Sequence, residues 1–186
     1  DEANAAIAEA LVVAANGNNH EQIVRAMKTF ANDSSFNRAT VAEVLVATAA
    51  NSRSPQLAAR TMEMFTRGDA DNRFAVANAV AREGDQAWVA RAMHSLTYGH
   101  AANRATIAVG LVALMASKRD QNRAARAMEI FTRGKADNCV AIAEADGIAA
   151  LVQHVASGKA ETATLAVLRR LACDAVGIGT RYFLRV

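Results

Sequence analysis

Apolar positions recur along this chain with helical spacing and in matched blocks. Ala59, Met62 and Phe65–Thr66 stand at i, i+3 and i+6/i+7, which lays one apolar stripe along a helix. The block returns as Arg-x-Met at Arg25–Met27, Arg60–Met62, Arg91–Met93 and Arg126–Met128, with methionine spacings of 35, 31 and 35. Six residues beyond the last three methionines comes a glycine, at Gly68, Gly99 and Gly134, where the first block has Asp33. Ten residues beyond every methionine comes an asparagine: Asn37, Asn72, Asn103 and Asn138. The pattern predicts two helices per unit. One begins at the asparagine, read as an N-cap whose side chain accepts from the first free N–H groups, and covers roughly 38–50, 73–82 and 104–117. The other covers roughly 20–31, 55–67, 86–97 and 121–133 and ends at the glycine, which tolerates a left-handed C-cap. Pro55 falls at a helix start, where its missing N–H costs nothing.

A longer period overlays the short one. Residues 37–72 align without gaps on residues 103–138, with 22 of 36 positions identical, so a two-unit block has been duplicated. Units of 31–35 residues with two short helices cannot bury their apolar faces alone. Stacked, they share one continuous core, and the expected architecture is an α-solenoid in which each unit touches mainly its neighbours.

Composition narrows the class further. The 186 residues suit one domain and include 45 alanines, one proline and nine aromatics. Alanine gives up no side-chain entropy on entering a helix, so the chain is expected to be all-α. A sandwich, a barrel and a disordered tail are excluded. The alanines concentrate where short helices must approach closely, at Ala58–Ala59, Ala124–Ala125 and Ala149–Ala150. No run of 18 apolar residues is free of charge, so no membrane span is expected. No signal peptide is visible, and an intracellular protein is expected, its compartment left open. The chain opens at Asp1 without a methionine and reads as processed, excerpted or renumbered. Cys139 and Cys173 are read as reduced, small core residues. None of His20, His94, His100 and His154 has a metal-ligand partner at i+3 or i+4, so no metal site is expected.

The stretch 134–172 is the most specific. It runs through Asn138, the short helix Ala141-Ile-Ala-Glu-Ala145, a glycine corner at Gly147, a second helix over Ile148–Val155 and a third ending Leu168-Arg-Arg-Leu-Ala172. Over these 39 residues the chain resembles an armadillo repeat. Upstream, the third-helix and asparagine parts recur in units shorter than the family's usual length of about 40–47 residues, as degenerate armadillo or HEAT-like repeats. The resemblance implies a right-handed α-solenoid of about five repeats, roughly 1–36, 37–71, 72–102, 103–137 and 138–174, with a tail over 175–186. The period also resembles pentatricopeptide repeats, which bind single-stranded RNA, but the Ala141–Val152 segment does not fit that pattern.

The armadillo resemblance places a partner-binding ladder two residues before and two after the buried residue of each third helix. Taking Met27, Met62, Met93, Met128 and Leu168 as buried, the first ladder is Arg25, Arg60, Arg91, Arg126 and Ala166, and the second is Thr29, Met64, Ser95, Ile130 and Arg170. Helix geometry agrees independently, because two residues rotate by about 200° and point away from the core. The nuclear-import armadillo proteins carry tryptophan and asparagine ladders that clamp basic peptides. Arginine at those positions implies the reverse preference, an acidic or phosphorylated extended segment held by charge-assisted hydrogen bonds. A competing reading has Arg60–Glu63 and Arg126–Glu129 as self-paired surface bridges.

Other residues are read as structural. Arg38, Arg73 and Arg104 follow the asparagines and form a second basic column; Trp88 is read mainly as core; the tail from Gly177 is read as capping the last repeat or docking on a partner. No nucleophile elbow, phosphate loop, dinucleotide fingerprint or HExxH motif is present, so no catalytic residue and no cofactor is expected. The function expected is a non-catalytic protein-interaction scaffold or a structural subunit of a larger assembly. An RNA-binding repeat protein is the alternative, against which stand the net charge of only +3 and the few aromatics; a HEAT-like enzyme ranks below it.

Overall fold

The computed structural model describes residues 2–15, 19–51, 55–117 and 120–182, with side chains described as far as Cys173. Eleven helices and no strand occur among the described residues. They are α1 (Glu2–Ala14), α2 (His20–Asn32), α3 (Ser35–Asn51), α4 (Pro55–Thr66), α5 (Ala70–Arg82), α6 (Gln86–Thr97), α7 (Ala101–Ala116), α8 (Gln121–Thr132), α9 (Ala136–Glu144), α10 (Gly147–Ala156) and α11 (Thr162–Tyr182).

The helices pack in two series. α1, α3, α5 and α7 each lie against the next, and so do α2, α4, α6, α8 and α11. α3 joins the series by packing on α6 as well as on its chain neighbours. Every substantial helix–helix contact joins elements no more than three apart in chain order. Between the series lies one apolar core, in which Met27, Met62, Met93 and Met128 are at most 3% exposed. No single described helix is long and apolar enough to cross a membrane.

Gly68, Gly99 and Gly134 close the corners after α4, α6 and α8 with φ of 75°, 66° and 68°, a backbone that other L-residues adopt only at a steric cost. Just before each corner, Thr66, Thr97 and Thr132 donate their hydroxyls to the carbonyls of Met62, Met93 and Met128 at 2.7–2.9 Å.

The asparagines do something other than N-capping. Helices α3, α5, α7 and α9 begin two residues before them, so Asn37, Asn72, Asn103 and Asn138 sit inside the first turn, buried. Each Nδ2 donates to the carbonyl seven residues back, in the last turn of the preceding helix: Phe30 (3.1 Å), Phe65 (3.0 Å), Leu96 (2.6 Å) and Phe131 (2.6 Å). These carbonyls lie in the last turn, where the helix itself supplies no i+4 donor; Phe30 O also accepts from the Asp33 N–H at 3.4 Å. Asn103 also donates to Ala59 O at 2.7 Å. The capping role falls to Ser34 and Asp69, whose side chains accept from the Asn37 and Asn72 N–H groups.

The first helices of successive units are tied together laterally. Asn4 donates to Asn37 Oδ1 at 2.9 Å, and Arg38 donates to Asn72 Oδ1 at 3.2 Å and pairs with Asp71 at 3.5 Å. Arg104 repeats the pairing with Asp137, also at 3.5 Å, 66 residues on. The second basic column is therefore structural at Arg38 and Arg104, where the aspartates of the next unit offset the unfavourable placement of a cation near a helix N-terminus.

The short spacing of 31 has a simple cause. α3 and α7 contain 17 and 16 residues, whereas α5 contains 13. The deficit is about one helical turn. In α7 the corresponding turn carries Leu114 and Met115, each 1% exposed; α5 ends before it, at Arg82.

Residues 134–172 form the expected three helices, with α9 and α10 meeting at 77°. Asp146 makes the corner in the left-handed region (φ 63°), and Gly147 follows because a Cβ there would overlap the side chain of Ile142. Other expectations are corrected. Cys139 is buried, but Cys173 is exposed, because the inward face of α11 carries Ala163, Thr164, Val167 and Leu171. α11 continues through Gly177 and Gly179 to Tyr182, so the tail is helical to that point; its side chains and residues 183–186 lie outside the described residues. Trp88 is half-buried against the core.

Candidate functional site

The outward face of α2, α4, α6 and α8 collects the repeated arginines. Each of these helices turns its methionine inward, so the residue two positions earlier faces solvent, and Arg25, Arg60, Arg91 and Arg126 are all exposed. Their helices pack in series, α2 on α4, α4 on α6 and α6 on α8. Equivalent positions on neighbouring packed helices recur at roughly 8–10 Å.

Partners separate these arginines from the rest. The side chains of Arg25, Arg60 and Arg91 make no ion pair and donate no hydrogen bond among the described residues. Arg126 approaches Glu161 at 3.4 Å, with both side chains about half exposed. The glutamates expected to pair within the helix are engaged elsewhere. Glu63 binds Arg67 at 2.7 Å and His100 at 3.2 Å, and Glu129 binds Arg133 at 3.0 Å and Arg170 at 3.4 Å. The hydrogen bond from Arg67, reinforced by its charge and by His100, holds the Glu63 carboxyl below the usual carboxylate range against an opposing effect of burial.

Arg170 is placed differently from the other four. Its Nη1 donates to the Glu129 carbonyl at 2.8 Å, and it ties α11 to α8. The register explains this: Val167 and Leu171 are buried and Leu168 is only half-buried, so the core position of α11 is one residue earlier than expected. The second ladder is also not an open column. Thr29 is exposed, but Met64 and Ile130 pack against the core and Ser95 is buried.

One interruption marks the face. Where α5 ends a turn early, a cleft of about 380 Å³ opens between its C-terminus, the start of α6, and α8. Arg126 belongs both to the arginine series and to this cleft. Among the described residues no group of His, Cys, Asp and Glu is arranged to hold a metal ion. The arrangement offers cationic hydrogen-bond donors at regular intervals, the chemistry of carboxylate or phosphate recognition. The regular asparagine at seven residues past the last large apolar residue of each second helix was the sequence signal for the corner clamp. The shortened spacing was the signal for the cleft.

No family model, no curated protein and no solved structure matches the chain.

Proposed function

We propose that this chain is an armadillo/HEAT-like α-solenoid that acts as a non-catalytic interaction scaffold, binding an extended acidic protein segment along Arg25, Arg60, Arg91 and Arg126. The observation that carries the reading is the exposure of these arginines at one register on successive packed helices, three of them without a partner among the described residues. A guanidinium is more weakly hydrated than an ammonium and presents a planar fork that matches a carboxylate, so a repeated arginine suits recognition better than a repeated lysine would. The solenoid reading draws support from the range of helix contacts, none of which is substantial beyond three elements. Arg170 is left out because its donors are already taken up by Glu129.

The test is fluorescence anisotropy at low ionic strength with a labelled peptide rich in Asp and Glu, beside a labelled single-stranded oligouridine. The acidic peptide is expected to bind, and R25A/R60A/R91A/R126A to weaken it by at least about tenfold, one to two charge-assisted contacts' worth. Unchanged affinity in the quadruple variant, or tighter and steeply salt-dependent binding of the oligouridine, overturns the reading.

A further inference from the structure

The residue after each core methionine reaches across to the next unit. Lys28 donates to Arg67 O at 2.8 Å, Glu63 meets His100 at 3.2 Å and Glu129 meets Arg170 at 3.4 Å. At the third junction the carboxylate is missing. His94 stands at the register of Glu63 and Glu129, and its Nδ1 lies 3.2 Å from Lys135 Nζ. Lys135 stands three residues before its asparagine, the position from which Ser34 and Asp69 accept the Asn37 and Asn72 N–H groups. Its own side chain caps nothing. Two oxygen acceptors that other units place at such a junction are thus both replaced here by nitrogen.

A cavity of about 300 Å³ opens beside this pair, between the end of α6 and the starts of α7 and α9. A second, of about 260 Å³, shares His94, Lys135 and Asn138 with it. The Tyr98 ring stands perpendicular to the His94 ring, with centroids 5.6 Å apart, and lines the first cavity. Arg104 lines it too, 3.5 Å from Asp137, the one carboxylate among its lining residues and 78% exposed. A pair so exposed contributes little and leaves the guanidinium able to take another oxyanion. Lys135 pairs with no carboxylate among the described residues. The first cavity therefore sets two cations against one weakly held carboxylate. Asn138 lines both cavities while only 3% exposed. Its Nδ2 donates to Phe131 O, but its Oδ1 meets no donor among the described residues, whereas the Oδ1 atoms of Asn37 and Asn72 accept from Asn4 and Arg38.

We infer that this junction binds a phosphomonoester, whose phosphate stands where the other units place a carboxylate, against Lys135, Arg104 and His94. A phosphate offers three oxygens to donors that converge from α6, α7 and the start of α9, where a planar carboxylate offers two. Asn138 Oδ1 is an acceptor, so it faces the N–H or O–H of the group that bears the phosphate rather than the phosphate oxygens. The site shares no residue with the arginine series and does not rest on that reading.

The experiment follows backbone amide shifts in 1H–15N spectra of the full chain, at constant pH and ionic strength. The chain is titrated with inorganic phosphate and, separately, with the peptide Ala-phosphoserine-Ala. Saturable shifts are expected at His94, Lys135 and Asp137, with the phosphopeptide binding at least as tightly as inorganic phosphate. Lys135→Ala is expected to weaken binding by about tenfold. His94→Glu puts back the carboxylate that Glu63 and Glu129 supply at this register. It is expected to fold as the wild type does and to abolish the saturable shifts at Lys135 and Asp137. Should it fail to fold by circular dichroism, Lys135→Ala carries the test. Absence of saturation at these amides in the wild type overturns the site and leaves the arginine reading intact. Undiminished binding in either folded variant overturns the assignment to Lys135 and His94. Binding of inorganic phosphate without the phosphopeptide overturns the phosphomonoester as the ligand.

Discussion

Two polar columns run through this molecule with the same period, and they have opposite fates. The asparagines at 37, 72, 103 and 138 are buried at the corners, and each closes a hydrogen bond to a carbonyl of the preceding helix. The arginines at 25, 60, 91 and 126 lie outside, and three of them close nothing among the described residues. Recurrence alone does not tell a structural residue from a binding one. Burial and engagement do: each buried asparagine N–H finds a carbonyl within the chain, although Asn103 Oδ1 has no partner among the described residues, whereas an exposed, unengaged cation is available to something else.

The comparison has consequences that can be measured, and the largest lies in the buried column. Asn103→Ala removes donors to Leu96 O and Ala59 O and is expected to lower unfolding free energy by about 1–3 kcal/mol, read as a drop in urea midpoint. A midpoint within error of the wild type would mean that the corner clamp is not what holds the units. Next come the lateral ties. A double-mutant cycle on Arg38 and Asp71, or on Arg104 and Asp137, is expected to give about 0.2–1 kcal/mol, since each aspartate is largely exposed. Coupling of several kcal/mol there would place the lateral ties on the structural side as firmly as the asparagines. Smaller still, Arg25→Ala, Arg60→Ala and Arg91→Ala are each expected to leave stability within about 0.5 kcal/mol. A larger loss in any of them would move that arginine into the structural column.

The least effect is expected from acid. Glu63 has a folded-state pKa below its unfolded value, so its contribution to stability is present above the ordinary carboxylate range and is lost as pH falls through the lowered value. In Glu63→Gln, the loss of stability between neutral and acid pH is expected to be slightly smaller than in the wild type. Identical pH dependence of the two urea midpoints would show that the Arg67–Glu63–His100 cluster is energetically silent.

Much of the fold was legible in the sequence. The ends of α2, α4, α6 and α8 fall within about one residue of the apolar stripe and its punctuation by Pro55 and the corner glycines. The three helices of residues 134–172 were legible because Gly147 interrupts an apolar pattern that otherwise continues. The role of the asparagines was not, because N-cap and carbonyl clamp call on the same residue type near the same helix start. Two residues of register decide between them, and boundaries are where sequence patterns are weakest. Leu168 misled for a related reason: Val167, Leu168 and Leu171 are all apolar, and only packing against α8, α9 and α10 selects which face turns inward. The exposure of the four arginines followed from helical rotation alone. Whether their neighbours Glu63 and Glu129 would pair with them did not: Arg67 and Arg133, four residues on, offer each carboxylate a competing local partner, and His100 and Arg170 arrive from distant parts of the chain.

The most direct measurement reverses the exposed column while leaving the buried one intact. R25E/R60E/R91E/R126E is titrated with the acidic peptide and with a basic peptide of mirrored charge, and its urea midpoint is recorded beside that of the wild type. If the arginines form the binding face, the variant keeps a near-native midpoint, loses the acidic peptide and gains the basic one. Retained affinity for the acidic peptide in a folded variant would contradict the assignment of this face.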